Sequence, residues 1–162
     1  MMNDPMWEPS MVFQLNRLVE PYFRWFDNGD IPDLKVFRRI VRVCEHTPSI
    51  NHWLPTKEYG VVNDFLLEGG KIPENLSLRP SGYKFNGEPP EFKNKFHLMS
   101  ELPTSTATYL DENDKPEVVH GHLCPAHWNK GQCGDCRACW NKKVSNVTYV
   151  NQRQKIKETN NA

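Results

Sequence analysis

The chain has 162 residues, 38% hydrophobic and 25% charged, and its 20 basic and 20 acidic residues cancel at pH 7. That length suits one ordinary domain, and no apolar run approaches the roughly 20 residues of a membrane span. Met1 to Glu8 has neither the basic start nor the apolar core of a secretory leader, so a cytoplasmic protein without membrane contact is expected.

The neutrality hides an uneven spread. Residues 120–162 hold seven Lys or Arg against two acids, a net of +5, and residues 1–119 offset it with 13 basic and 18 acidic residues. A basic C-terminal segment suits nucleic acid or a host protein as partner, and equally suits a tail kept soluble by lysines.

In chain order, apolar residues at 11, 12, 15, 18 and 19 predict a short helix over residues 9–20 with Ser10 as N-cap, ended by Pro21. Residues 22–26 read as a strand running into the turn Asp27-Asn28-Gly29-Asp30. Asp33 is placed to cap a helix over Leu34–His46, with Leu34, Phe37, Ile40, Val41 and Cys44 on its apolar face and Lys35, Arg38, Arg39 and Arg42 facing away. A strand over Ser49–Leu54 and a helix over Tyr59–Leu67 closing on Gly69-Gly70 follow. Further strands are predicted over Leu76–Arg79, Phe96–Glu101 and Ser105–Leu110. Val118–His122 is expected as a hairpin partner, and Val144–Val150 as a last strand before a polar tail over residues 151–162.

Strand–helix–strand–helix–strand is the order of a parallel sheet, where chemistry gathers at the C-terminal strand ends. Polar residues fall there after each of the first three strands, and Asp27, Asp30, Lys57 and Arg79 are the candidate catalytic side chains. Loops of α/β proteins are polar in any case, so this signal is weak.

The dense chemistry lies between Cys124 and Trp140. Cys133, Cys136 and Cys139 are separated by two residues each, and eight residues lie between Cys124 and Cys133. In a cytoplasmic protein such thiols are metal ligands rather than disulfides. Three equally spaced cysteines can wrap three corners of a [4Fe–4S] cube, with Cys124-Pro125 as the remote fourth. Zinc (Zn2+) also fits, through Cys124-x2-His127 with Cys133-x2-Cys136, or through all four cysteines. His120 and His122 are further ligand candidates, and Cys44 belongs to a helical apolar face. Trp128 and Trp140 flank the segment and are placed to shield a metal.

Phe23-Arg24-Trp25-Phe26-Asp27-Asn28-Gly29-Asp30, Thr47-Pro48, the Trp53–Tyr59 segment and Cys124-Pro…Cys133-x2-Cys136-x2-Cys139-Trp140 resemble the phage gene 88 protein family. The resemblance covers about residues 22–150. It implies a phage or prophage origin and a small, partial α/β barrel related to radical-SAM-like proteins. Longer members carry a further cysteine-rich segment before the first strand. This chain has none there and contains no Cys-x3-Cys-x2-Cys, so a shortened or repurposed member is implied.

The expected fold is therefore α/β, a partial barrel or open, mostly parallel sheet with a C-terminal four-cysteine metal module. The expected division is a core over residues 1–119, a metal module over 120–150 packed on it, and a tail over 151–162. Two functions stand side by side. One is an iron–sulfur protein with a structural or electron-transfer role and a degenerate radical-SAM-like site. The other is a zinc-stabilised module binding nucleic acid or protein through its basic segment.

Overall fold

The computed structural model describes residues 2–151. Six strands form one sheet: β1 (Tyr22–Arg24), β2 (Asn51–Thr56), β3 (Leu76–Phe85), β4 (Thr104–Tyr109), β5 (His122–Leu123) and β6 (Asn146–Asn151), in the order β1-β2-β3-β4-β6-β5. Every neighbouring pair is parallel, and the sheet curls into an open half-barrel. Three helices accompany it: α1 (Trp7–Leu15), α2 (Leu34–Glu45) and α3 (Tyr59–Leu67). None of the described helices is long and apolar enough to cross a membrane.

The outer face of β1–β3 is apolar because alternate residues point that way. Trp25, Leu54, Leu76 and Leu78 pack there against Val36, Phe37, Ile40 and Val43 of α2 and Val62 and Phe65 of α3. Asp33 caps α2 as expected, its carboxylate accepting from the Val36 N–H at 2.7 Å. Past α3 the chain turns at Gly69, whose φ of +82° suits a residue without Cβ.

Arg39 departs from expectation. It is buried, and α1 lies over it: Glu8 accepts from Arg39 at 2.5 Å and from Arg42 at 2.7 and 2.9 Å. The two guanidinium groups pull the Glu8 carboxyl down to about 2, with burial opposing them. α1 itself begins at Trp7, ahead of Ser10, and no side chain caps it.

Two strand expectations are corrected. Residues Asn94–Met99 form a 3-10 helix, not a strand, which lets Met99 reach the core while Lys93 and Lys95 stay outside. Val118–His122 is not a hairpin arm. The chain passes outside β4 and β6 and enters the sheet only at His122–Leu123, parallel to β6. Threonines hold that passage. Thr148 Oγ1 donates to the His120 carbonyl at 2.7 Å, Asn146 Nδ2 donates to the same carbonyl at 2.8 Å, and Thr108 Oγ1 accepts from the Val118 N–H at 3.0 Å. Gly121 makes the closest approach, at φ +64°, where a Cβ would stand 2.5 Å from the Asn146 carbonyl oxygen.

β5 and β6 complete the same sheet as β1–β4, so residues 120–150 supply two strands as well as the cysteine segment. The expected tail lies outside the described residues from position 152 onward.

Candidate metal centre

The inner face of the curl is built differently from the outer one. Arg24, Trp53 and Ser77 share one row across β1, β2 and β3, and Ser81, Ser105, Val147 and His122 share another across β3, β4, β6 and β5. Onto this face folds the segment that follows β5. It bridges the opening of the half-barrel: Cys124 follows the β5 edge, and Trp140 donates its indole N–H to the Phe23 carbonyl in the opposite edge strand, β1, at 3.0 Å. Trp140 also meets Tyr22 and Trp53 edge-on, at 5.4 and 5.5 Å between centroids.

Arg79 anchors the segment. Its side chain is fully buried and all five of its N–H donors are used. Nε donates to the Cys139 carbonyl at 2.9 Å, Nη1 to Thr104 and Val144 at 3.0 Å each, and Nη2 to Ala138 at 3.0 Å and Asn141 at 2.8 Å. Four of those carbonyls belong to residues 138–144. Burial lowers the affinity of this guanidinium for its proton, while Tyr149 and Cys139 act in the opposite direction. Among the described residues no carboxylate forms an ion pair with it.

Arg79 lies within β3, which runs on to Phe85, rather than at a strand end, and the other candidates sit elsewhere. Asp27 is exposed and 3.6 Å from Arg24. Asp30 clamps the loop after β1 to the end of β2, accepting from Thr56 Oγ1 at 2.6 Å, the Lys57 N–H at 2.7 Å and the Ile31 N–H at 2.8 Å. Lys57 extends its ammonium over the Tyr83 ring at 6.0 Å. Asp30 and Lys57 are thus joined through a backbone amide, and Arg79 lies apart from both, beneath the cysteines.

The four module cysteines share a neighbourhood. Cys139 is buried with Trp53, Ala138 and Val147, and Cys124, Cys136, Trp140 and Tyr149 pack against that cluster. Cys124 feels the charges of Cys133 and Cys136, and Cys139 those of Cys124 and Cys133, so each thiol lies in electrostatic reach of others. The Cys136 N–H donates to the Cys133 carbonyl at 3.0 Å, closing a tight Cys-x-x-Cys turn. Burial pushes the Cys139 thiol up to about 11 and raises that of Cys124, with Arg24 drawing the latter back. As the side chains stand, no three His, Cys, Asp or Glu among the described residues are grouped closely enough to hold a metal ion.

Chemically, the donor set fits a thiolate-bound metal. Cys139 lies in one apolar cluster with Cys124 and Cys136 packed against it, and the buried Trp53 Nε1 in that cluster has no hydrogen-bond partner. An indole N–H can only donate, and sulfur is an acceptor. Of the histidines, His127 packs its ring edge-on against Trp128 at 5.1 Å. His120 faces Glu88 at 3.5 Å on the outer side. His122 is the one that meets a cysteine, with Nε2 3.3 Å from Cys136 Sγ. The sequence offered His122 as a further ligand candidate, and its place in β5 beside β6 brings it to Cys136.

The family model for Gene product 88 matches residues 1–142, which takes in the first five strands and all four module cysteines. The chain belongs to the gene product 88 family. The matched span ends just before β6, so it includes Arg79 and, of the carbonyls Arg79 binds, all but that of Val144. No curated protein and no solved structure matches the chain.

Proposed function

We propose that this member of the gene product 88 family is a metal protein whose centre is a [4Fe–4S] cluster held by Cys124, Cys133, Cys136 and Cys139. The observation that carries the reading is Arg79. A fully buried guanidinium without a carboxylate partner is costly, because burial penalises its charge. Four thiolates around iron leave the centre with net negative charge, which compensates that cation through the carbonyls it binds. When bound, the cluster would supply one-electron chemistry or a rigid crosslink between the two edges of the half-barrel.

The protein's own part is to close the site. All four cysteines are used, so no ligand position is left open, and Trp53, Trp140 and Tyr149 cover the buried side. Such a centre serves structure or electron transfer rather than activation of a substrate at the metal. A catalytic role would fall to the strand-end residues Asp27, Asp30 and Lys57.

Zinc is the second reading, and His122 favours it, since an imidazole beside Cys136 makes a mixed sulfur–nitrogen set. The basic segment as a nucleic-acid surface has less support: Arg137 lies 3.8 Å from Glu20 and Lys142 lies 3.6 Å from Glu74. Purification without oxygen followed by iron, sulfide and zinc analysis tests the reading. A brown protein absorbing broadly near ~400 nm, with about four iron and four sulfide per chain, is expected. A colourless preparation with one zinc per chain would replace the cluster by the second reading.

A further inference from the structure

We infer that Trp53, His122 and Tyr149 form a hydrogen-bonding shell directed at the sulfurs of the centre. The three come from separate strands of the inner face, β2, β5 and β6. Tyr149 places its hydroxyl 3.2 Å from Cys139 Sγ, and His122 places Nε2 3.3 Å from Cys136 Sγ. Trp53 supplies the third. Its Nε1 is buried without a partner in the cluster that holds Cys139 and touches Cys124 and Cys136.

Tyr149 stacks on Trp53 with centroids 5.7 Å apart and planes 26° apart, and the Arg24 guanidinium covers the Trp53 ring at 4.7 Å. The two aromatic donors are therefore held as one rigid pair. The division of labour is between the loop, which brings the sulfurs, and the sheet, which brings donors to them.

Hydrogen bonds to metal-bound thiolates withdraw electron density from sulfur and fix the ligand's direction. These three residues would thus be positioning residues. They strengthen the site and make its sulfurs poorer electron donors without touching the metal. The inference rests on the four-thiolate reading above.

The test uses Co2+ alone as the probe on the full chain prepared without metal. Wild type is compared with Tyr149→Phe, His122→Gln and Trp53→Phe. Wild type should show a sulfur-to-cobalt charge-transfer band at one Co2+ per chain. In Tyr149→Phe and His122→Gln the band should move to longer wavelength, and Co2+ affinity in chelator competition should fall about tenfold. Tyr149→Phe keeps the ring and its packing, so it remains decisive even if Trp53→Phe does not fold. Band and affinity unchanged in both Tyr149→Phe and His122→Gln, with a normal wild-type spectrum, would overturn the inference alone. Absence of any sulfur-to-cobalt band in wild type would overturn it together with the four-thiolate reading.

Discussion

The two faces of this sheet are held by opposite means. The outer face of β1–β3 is an ordinary apolar core, with Leu54, Leu76 and Leu78 buried under α2 and α3. The inner face is organised by a cation, Arg79, whose bonds reach the cysteine segment through its carbonyls rather than through its side chains. The outer core depends on water exclusion and tolerates small changes of shape. The inner face depends on one side chain satisfying five acceptors at once, and a single substitution can release it. The family match follows the same line, since it includes the segment and the residue that holds it.

The sharpest way to break the comparison is at Arg79. Arg79→Met removes five hydrogen bonds and leaves buried carbonyls unmatched, so urea unfolding should show a loss of at least about 4 kcal/mol. Arg79→Lys should not restore stability, because an ammonium has three donors on a flexible stem. A loss below about 1 kcal/mol for Arg79→Met would show that the segment docks without its anchor.

Acid should act first on the outer side. His52 is buried, its Nε2 2.8 Å from Thr47 Oγ1 and its ring stacked on Trp25. Burial lowers its pKa from 6.5 to about 4. The unfolded chain therefore binds this proton more readily than the folded one. The contribution is intact above about pH 6.5 and is lost as pH falls toward 4, a change of about 3 kcal/mol. Glu8 adds a second loss between about pH 4.5 and 2, as its carboxylate is protonated and releases Arg39 and Arg42. Thermal midpoints measured between pH 7 and 4 should fall steadily in wild type and less in His52→Gln relative to its own value at pH 7. Parallel curves for the two proteins would remove His52 as the cause.

A smaller effect separates two carboxylates that look alike in sequence. Asp30→Ala leaves Thr56 Oγ1 and two backbone N–H groups without their acceptor, and about 1–2 kcal/mol should be lost. Asp27→Ala, at an exposed site, should stay within about 0.5 kcal/mol. Equal denaturant midpoints for the two variants would contradict this difference.

Elements governed by local rules were legible in the sequence. The Asp33 cap, the apolar face of α2, the span Tyr59–Leu67 and the strand–helix alternation carried their own signals, and the parallel sheet followed from them. The misread parts depend on tertiary partners. Phe96, Leu98 and Met99 are spaced for a strand or a tight helix, and contact with the core decides for the latter. Val118–His122 has strand composition, yet its backbone is held by Thr108, Asn146 and Thr148 outside the ladder until residue 122. Arg79 looked like a strand-end reactant because nothing in a linear sequence reveals five carbonyls gathered from residues 104–144. The cysteine spacing pointed to the segment and His122 stood among the ligand candidates, while nothing in the sequence marked Tyr149 and Trp53 as its neighbours.

The proposed centre is tested most directly by metal stoichiometry in anaerobically purified wild type and Cys139→Ala, measured side by side. A four-thiolate cluster should give about four iron per chain in wild type and lose most of it in Cys139→Ala. Metal content equal in the two proteins, or none in wild type, would contradict it.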